Sequence, residues 1–152
     1  MTYFEAAGKS YVIWAQHNEE KISCLYLGEV HPAVLQHDGR IFVCFSASGT
    51  GPEYCVGVLE ADLTSNLLSP SSWKKQDKPL LTSEDLTDEY GPGHNSFTKD
   101  ENGNDVFVYH ARSKECFLGI CGYAGNDPLY DPCRHARLHT VTWAADGMPV
   151  LR

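Results

Sequence analysis

Ala33-Val34-Leu35-Gln36-His37-Asp38-Gly39-Arg40-Ile41-Phe42-Val43-Cys44-Phe45 reads as two apolar runs joined by an Asp-Gly pair. Asp-Gly between hydrophobic runs is a strong local hairpin signal, because the turn that matches strand twist needs positive φ at its centre. The pattern recurs outward along the chain. Before it come Tyr3-Phe4-Glu5, Ala7-Gly8-Lys9 and Tyr11 to Trp14. After it come Ser96-Phe97-Thr98, Glu101-Asn102-Gly103-Asn104 and Val106 to Tyr109. A weaker copy closes the chain as Val141-Thr142-Trp143, Asp146-Gly147 and Pro149-Val150-Leu151. Ile22 to Leu27 and Tyr54 to Leu59 read as further strands, and no segment holds a long helical period.

Repeated hairpins tens of residues apart predict an all-β radial array, a β-propeller. A β-sandwich of stacked hairpins is the alternative. The turn glycines Gly8, Gly39, Gly103 and Gly147 fall 31, 64 and 44 residues apart. A four-stranded blade takes about 40–45 residues. The first interval is therefore short for a blade, and the second carries an insertion. That insertion, Leu67 to Glu89, is rich in Ser, Pro, Asp and Lys and reads as a long surface connection. Residues 1–152 form a single domain of this partial kind.

Tyr90-Gly91-Pro92-Gly93-His94-Asn95-Ser96-Phe97 is the second informative stretch. Glycine permits close approach or positive φ, and proline fixes its own φ. The stretch predicts a tight turn that aims His94 inward, with a strand starting at Phe97. The alternative is a loop whose polar residues cap their own backbone.

A net charge of −8 with no basic stripe argues against nucleic acid and against anionic membranes. No apolar run reaches membrane-spanning length, and no export signal is visible after Met1. A neutral glycan or small molecule suits this surface better. None of Cys24, Cys44, Cys55, Cys116, Cys121 and Cys133 forms a CxxC pair, so a zinc ribbon is disfavoured. Cys24 and Cys44 lie in apolar runs as small core residues, and Cys116 and Cys121 are close enough in sequence to pair locally.

Residues suited to polyol binding cluster late. His94 lies in the glycine-rich stretch, and His110 and Arg112 end a strand. Asp127-Pro128-Leu129-Tyr130-Asp131-Pro132-Cys133-Arg134-His135-Ala136-Arg137 follows. Arginine offers a planar fork of donors suited to paired hydroxyls. The competing reading ties Arg134 and Arg137 to Asp127 and Asp131 within the loop. Trp14, Trp73 and Trp143 read as core or loop anchors. His17, His31, His37, His135 and His139 show no ligand spacing. Glycoside hydrolysis needs two carboxyl groups across the scissile bond. The strand-borne candidates Glu5, Glu29, Glu53 and Glu60 show no such pairing, and Glu60 and Asp62 read as a solvated edge.

These tokens together resemble glycoside hydrolase family 43, the five-bladed propellers that include α-L-arabinofuranosidases and β-xylosidases. The tokens are Thr2 to Glu5 with Gly8-Lys9 and Val12 to Gln16; Pro32 to Leu35 with Asp38 to Phe42; Ser46-Ala47-Ser48; Tyr90 to Thr98; Val108 to Arg112; and Asp127 to Arg137. The resemblance covers the family's later blades and implies an incomplete five-bladed propeller of four-stranded antiparallel blades. It implies an inverting glycosidase acting on terminal arabinofuranosyl or xylosyl units of plant polysaccharides. Such enzymes use a carboxylate base, a pKa-tuning aspartate and a general acid.

Carried over position by position, these three acids are absent, so the chain reads as truncated and weak or inactive alone. Glu29 is the general acid only if displaced by one residue. His94 matches a histidine near the propeller axis, close to the sugar and in some members part of a hydrated metal site. Arg134 matches an arginine that hydrogen-bonds the sugar, and His139 stands where a glutamine is common. The resemblance implies no required cofactor, and a structural calcium at the axis in some members. Relatives are often extracellular. The alternative function is a non-catalytic carbohydrate-binding or assembly fragment, with self-association through open propeller edges.

Overall fold

A computed structural model describes residues 2–13, 32–122 and 132–152. The strand predicted at Ile22 to Leu27 lies outside these residues. Eleven strands make up nearly all of the regular structure among the described residues. β1 (Thr2–Ala6) and β2 (Lys9–Ile13) form an antiparallel hairpin. β3 (Ala33–His37), β4 (Arg40–Ala47), β5 (Cys55–Asp62) and β6 (Lys74–Lys75) form a four-stranded antiparallel sheet in that order. β7 (Glu89–Lys99), β8 (Asp105–Ser113) and β9 (Arg134–Thr140) form a three-stranded one. A short helix, α1 (Lys114–Phe117), follows β8. The last hairpin pairs β10 (Thr142–Trp143) with β11 (Pro149–Val150).

The hairpin turns form where the sequence predicts them. Ala7-Gly8 and Asp38-Gly39 are two-residue turns with positive φ at both positions, 48° and 70° in the first and 46° and 73° in the second. That geometry matches the twist of the flanking strands and favours glycine at the second position.

Alternation along β4 and β5 explains why the sheets stack as blades. Phe42 and Cys44, with Val56 and Val58, point to one face and pack with Phe107, Tyr109 and Ala111 of β8. Ile41 and Ala61 point to the other face and pack with Phe4 and Ala6 of β1. The sheet β3–β6 is thus apolar on both faces and lies between its neighbours. The first strands of the three sheets, β1, β3 and β7, adjoin one another in series. This is the arrangement of propeller blades around an axis, so the architecture is an open, partial propeller. Completely burying a side chain such as Phe42 contributes about 1.5–3 kcal/mol.

The structure changes three expectations. The glycine-rich stretch is not a turn preceding a strand at Phe97. It lies within β7, which starts at Glu89 and is shifted in register against β8 between Tyr90 and Gly93 and again between Gly93 and Ser96. Bulges of this kind re-aim side chains without ending the strand. The insertion Leu67 to Glu89 is more than a surface connection. It supplies β6, the fourth strand of its blade, and buries Leu67 and Leu81. Glu60 is not at a solvated edge. Its carboxylate accepts hydrogen bonds from Arg40 and Gln76 and faces Lys74 at 3.4 Å. Burial works to raise the Glu60 pKa, but the hydrogen bonds and charges of Arg40 and Lys74 outweigh it and the net shift is downward.

Candidate functional site

The blade ends opposite the Gly39 and Gly103 turns bring together the end of β4, the start of β5, the bulged part of β7, the end of β8 and the start of β9. Glycines make that convergence physically feasible. A Cβ on Gly93 would lie 2.1 Å from Tyr54 Cε1, and one on Gly91 would lie 2.6 Å from the Gly51 carbonyl. Tyr54, fully buried at the start of β5, therefore crosses β7 where the strand has no side chain. Its ring centroid lies 6.4 Å from that of His110.

His94 follows directly. Its φ of 53° is the left-handed conformation, uncommon for a residue with a Cβ. Buried Ser46 holds it there, accepting from the His94 backbone N–H at 2.7 Å. Buried Asn95 donates to the Cys44 carbonyl at 3.4 Å and also lies against Ser46. This polar pair pins the bulge of β7 to the end of β4. It leaves the His94 side chain exposed, its ring centroid 5.2 Å from that of His110. Backbone held in a sparsely populated region by surrounding contacts is common at ligand sites.

Arg134 opens β9 directly across from Arg112 of β8. Its Nη2 lies 2.9 Å from His110 Nε2, and its guanidinium carbon lies 5.9 Å from the Tyr54 ring centroid. A guanidinium can only donate, so Nε2 of His110 is the acceptor in this contact and its proton resides on Nδ1. Two arginines and two histidines thus concentrate polar, donor-rich groups at one end of a chain whose net charge is −8.

A separate polar chain lies on the other face of β8 and β9. Tyr109 donates to Glu89 at 2.8 Å, His139 Nε2 lies 3.1 Å from the Tyr109 hydroxyl, and Arg137 pairs with Glu89 at 2.6 Å. Burial, followed by the hydrogen bond and charge of Glu89, pushes the Tyr109 hydroxyl well above its usual range. Arg137 is therefore tied to Glu89, 48 positions away, a pairing for which the sequence holds no local cue.

His94 and Arg134, the two sugar-side residues read from the sequence, come together with His110. Glu29 lies outside the described residues, as do Asp127 and Asp131. Tyr54, Ser46 and Glu89 gain their roles only from tertiary contacts. Calcium takes six to eight oxygen ligands. Among the described residues no group of three carboxylate or imidazole ligands gathers at His94; the one such cluster is the sulfur set Cys116, Cys121 and Cys133. Sulfur does not suit calcium, a hard cation that prefers oxygen ligands.

An antiparallel partial propeller thus carries a donor-rich, aromatic-backed cluster at one blade end. The chain belongs to the glycosyl hydrolases family 43, whose model matches residues 26–149. An extracellular exo-α-(1→5)-L-arabinofuranosidase of Streptomyces avermitilis is 45% identical over 119 residues, covering 78% of this chain and 23% of the relative. The α-L-arabinofuranosidase 43 of Humicola insolens is 44% identical over the same length, also with 78% and 23% covered. The crystal structure of an α-L-arabinofuranosidase from Lactobacillus brevis superposes with a TM-score of 0.80 at 33% identity, covering 97% of this chain and 53% of that one. The chain thus spans less than a quarter of the two enzymes matched by sequence, and about half of the one matched by structure.

Proposed function

We propose that this chain provides the sugar-holding side of an α-L-arabinofuranosidase pocket, with Arg134 and His94 as substrate-binding residues. The supporting observation is the convergence of Arg134 with His110, near His94 and backed by Tyr54. A planar donor fork held against an imidazole suits the paired hydroxyls of a terminal pentose. Arabinose is favoured over xylose because the relatives at 33% identity or more are named arabinofuranosidases. The substrates are arabinose-containing oligosaccharides or polysaccharides. Family chemistry inverts the anomeric centre with a carboxylate-activated water opposite a protonated leaving group. The His94–His110–Arg134 cluster provides binding and orientation in that scheme, and the acid–base pair is assigned elsewhere in the whole enzyme.

Hydrolysis of nitrophenyl arabinofuranoside and xyloside reporters by the 152-residue chain tests this division. The expected result is no turnover above buffer. Turnover that disappears in Glu29→Gln would show that the chain carries its own general acid and would refute the assignment. The alternative reading is a binding or assembly fragment. It is favoured by the exposed Tyr3 and Val12 on β1–β2 and Leu138 on β9, apolar groups on open sheet faces where copies of the chain can associate.

A further inference from the structure

Three cysteines converge where α1 meets the start of β9. Cys116 and Cys133 are joined in a disulfide, and both are buried, at 4% and 6% exposure. Cys121 retains its thiol and is half-exposed. Its Sγ lies 3.4 Å from Cys133 Sγ, and all three sulfurs lie within 4.8 Å of one another. The Cys121 thiol is within reach of the disulfide, and a side-chain rotation that brings it in line with the Cys133–Cys116 bond starts exchange.

We infer that Cys116, Cys121 and Cys133 form an internal thiol–disulfide exchange centre in which Cys121 attacks Cys133 and displaces Cys116. Cys121 gives its proton to solvent, and the thiolate forms a bond to the Cys133 sulfur. The Cys133–Cys116 bond breaks, and Cys116 leaves as a thiolate that takes up a proton. One disulfide and one thiol exist before and after, so the step consumes no oxidant or reductant. Attack falls on Cys133 because that sulfur contacts Cys121. Solvent reagents meet Cys121 first, because the disulfide itself is buried.

The exchange changes what anchors β9. In one isomer Cys133 is tied to α1, whose Cys116 carbonyl accepts from Arg112 at 3.3 Å. In the other isomer Cys133 is tied to Cys121, beyond the helix. Cys133 immediately precedes Arg134, so the isomer sets the strand start that carries this arginine. The effect on Arg134 rests on the sugar-site reading; the exchange does not.

Disulfide mapping tests the exchange without any sugar. The wild-type chain, purified without reductant, is incubated for hours at pH near the ordinary thiol pKa of about 8.5. It is then acid-quenched, alkylated with N-ethylmaleimide and digested for mass spectrometry. The expected digest contains both Cys116–Cys133 and Cys121–Cys133 linked peptides. A Cys116→Ser chain oxidised with glutathione disulfide is expected to hold Cys121–Cys133 alone. A wild-type digest with only Cys116–Cys133 linked and Cys121 alkylated overturns the proposal, whatever the variant shows. Three alkylated thiols, or stoichiometric zinc retained by the purified chain, overturn it equally. Loss of sugar binding in Arg134→Ala leaves this map unchanged, so the two readings fail separately.

Discussion

Gly93 has no room for a side chain. A methyl group there meets the Tyr54 ring at 2.1 Å, and Tyr54 is packed too tightly to step aside. Gly93→Ala is therefore expected to destabilise the chain by about 1–3 kcal/mol, the usual range for overpacking a dense interior. A urea midpoint unchanged from wild type would show that Tyr54 does not lie across the strand. Cys44 illustrates the opposite case, a residue with a packing role alone. Complete burial pushes its thiol up to about 12, so it stays protonated and inert. Candidate residues were readable where chemistry is local: His94 beside two glycines and Arg134 in an arginine-rich run. Tyr54 was not readable, because its place depends on glycines nearly forty residues away.

At the scale of elements, β6 shows what sequence patterning misses. Lys74 and Lys75 have no strand signature of their own. They join the sheet because β5 offers a free edge and Glu60 lies opposite Lys74. The hairpins were legible because two-residue turns need positive φ, which Asp-Gly advertises. The bulged β7 was not, because Gly-Pro-Gly signals a turn unless a long partner strand holds it. Arg40 links elements as well as pairing with Glu60: it donates to the Asp146 carbonyl at 2.9 Å and so ties the last hairpin to β4.

Glu60→Gln is expected to cost about 1–3 kcal/mol, as for a hydrogen bond to a charged group. The Glu60 pKa is lowered on folding, so its contribution is complete above the ordinary carboxylate value of 4.5. It is lost as pH falls through the lower folded value. The wild-type advantage over Glu60→Gln, read from denaturation midpoints at a series of pH values, should therefore shrink only below about pH 4.5. An advantage independent of pH across that range would refute the charged role of Glu60.

At the scale of the whole molecule, three stacked sheets leave two outward faces. Val12 on β2 and Leu138 on β9 are 48% and 66% exposed. Apolar side chains on open sheet faces favour association between copies. Light scattering on a concentration series is expected to show rising mass for wild type and a smaller rise for Leu138→Lys. A constant monomer mass would remove the self-association reading. The radial plan was legible from the recurrence of hairpins, although their intervals of 31, 64 and 44 residues are uneven for complete blades. The four strands per blade came from the family resemblance and are met by β3–β6; composition alone does not reveal the outer strand β6, which is set by pairing.

Titration calorimetry with an α-(1→5)-linked arabino-oligosaccharide tests the central claim most directly. Wild type, Arg134→Lys and Arg134→Ala are compared, with circular dichroism confirming that all three are folded. The account predicts binding by wild type, weaker binding by Arg134→Lys, which keeps the charge but loses the planar fork, and none by Arg134→Ala. Equal affinity across the three chains would contradict the placement of the sugar at Arg134, and with it the function proposed for this cluster.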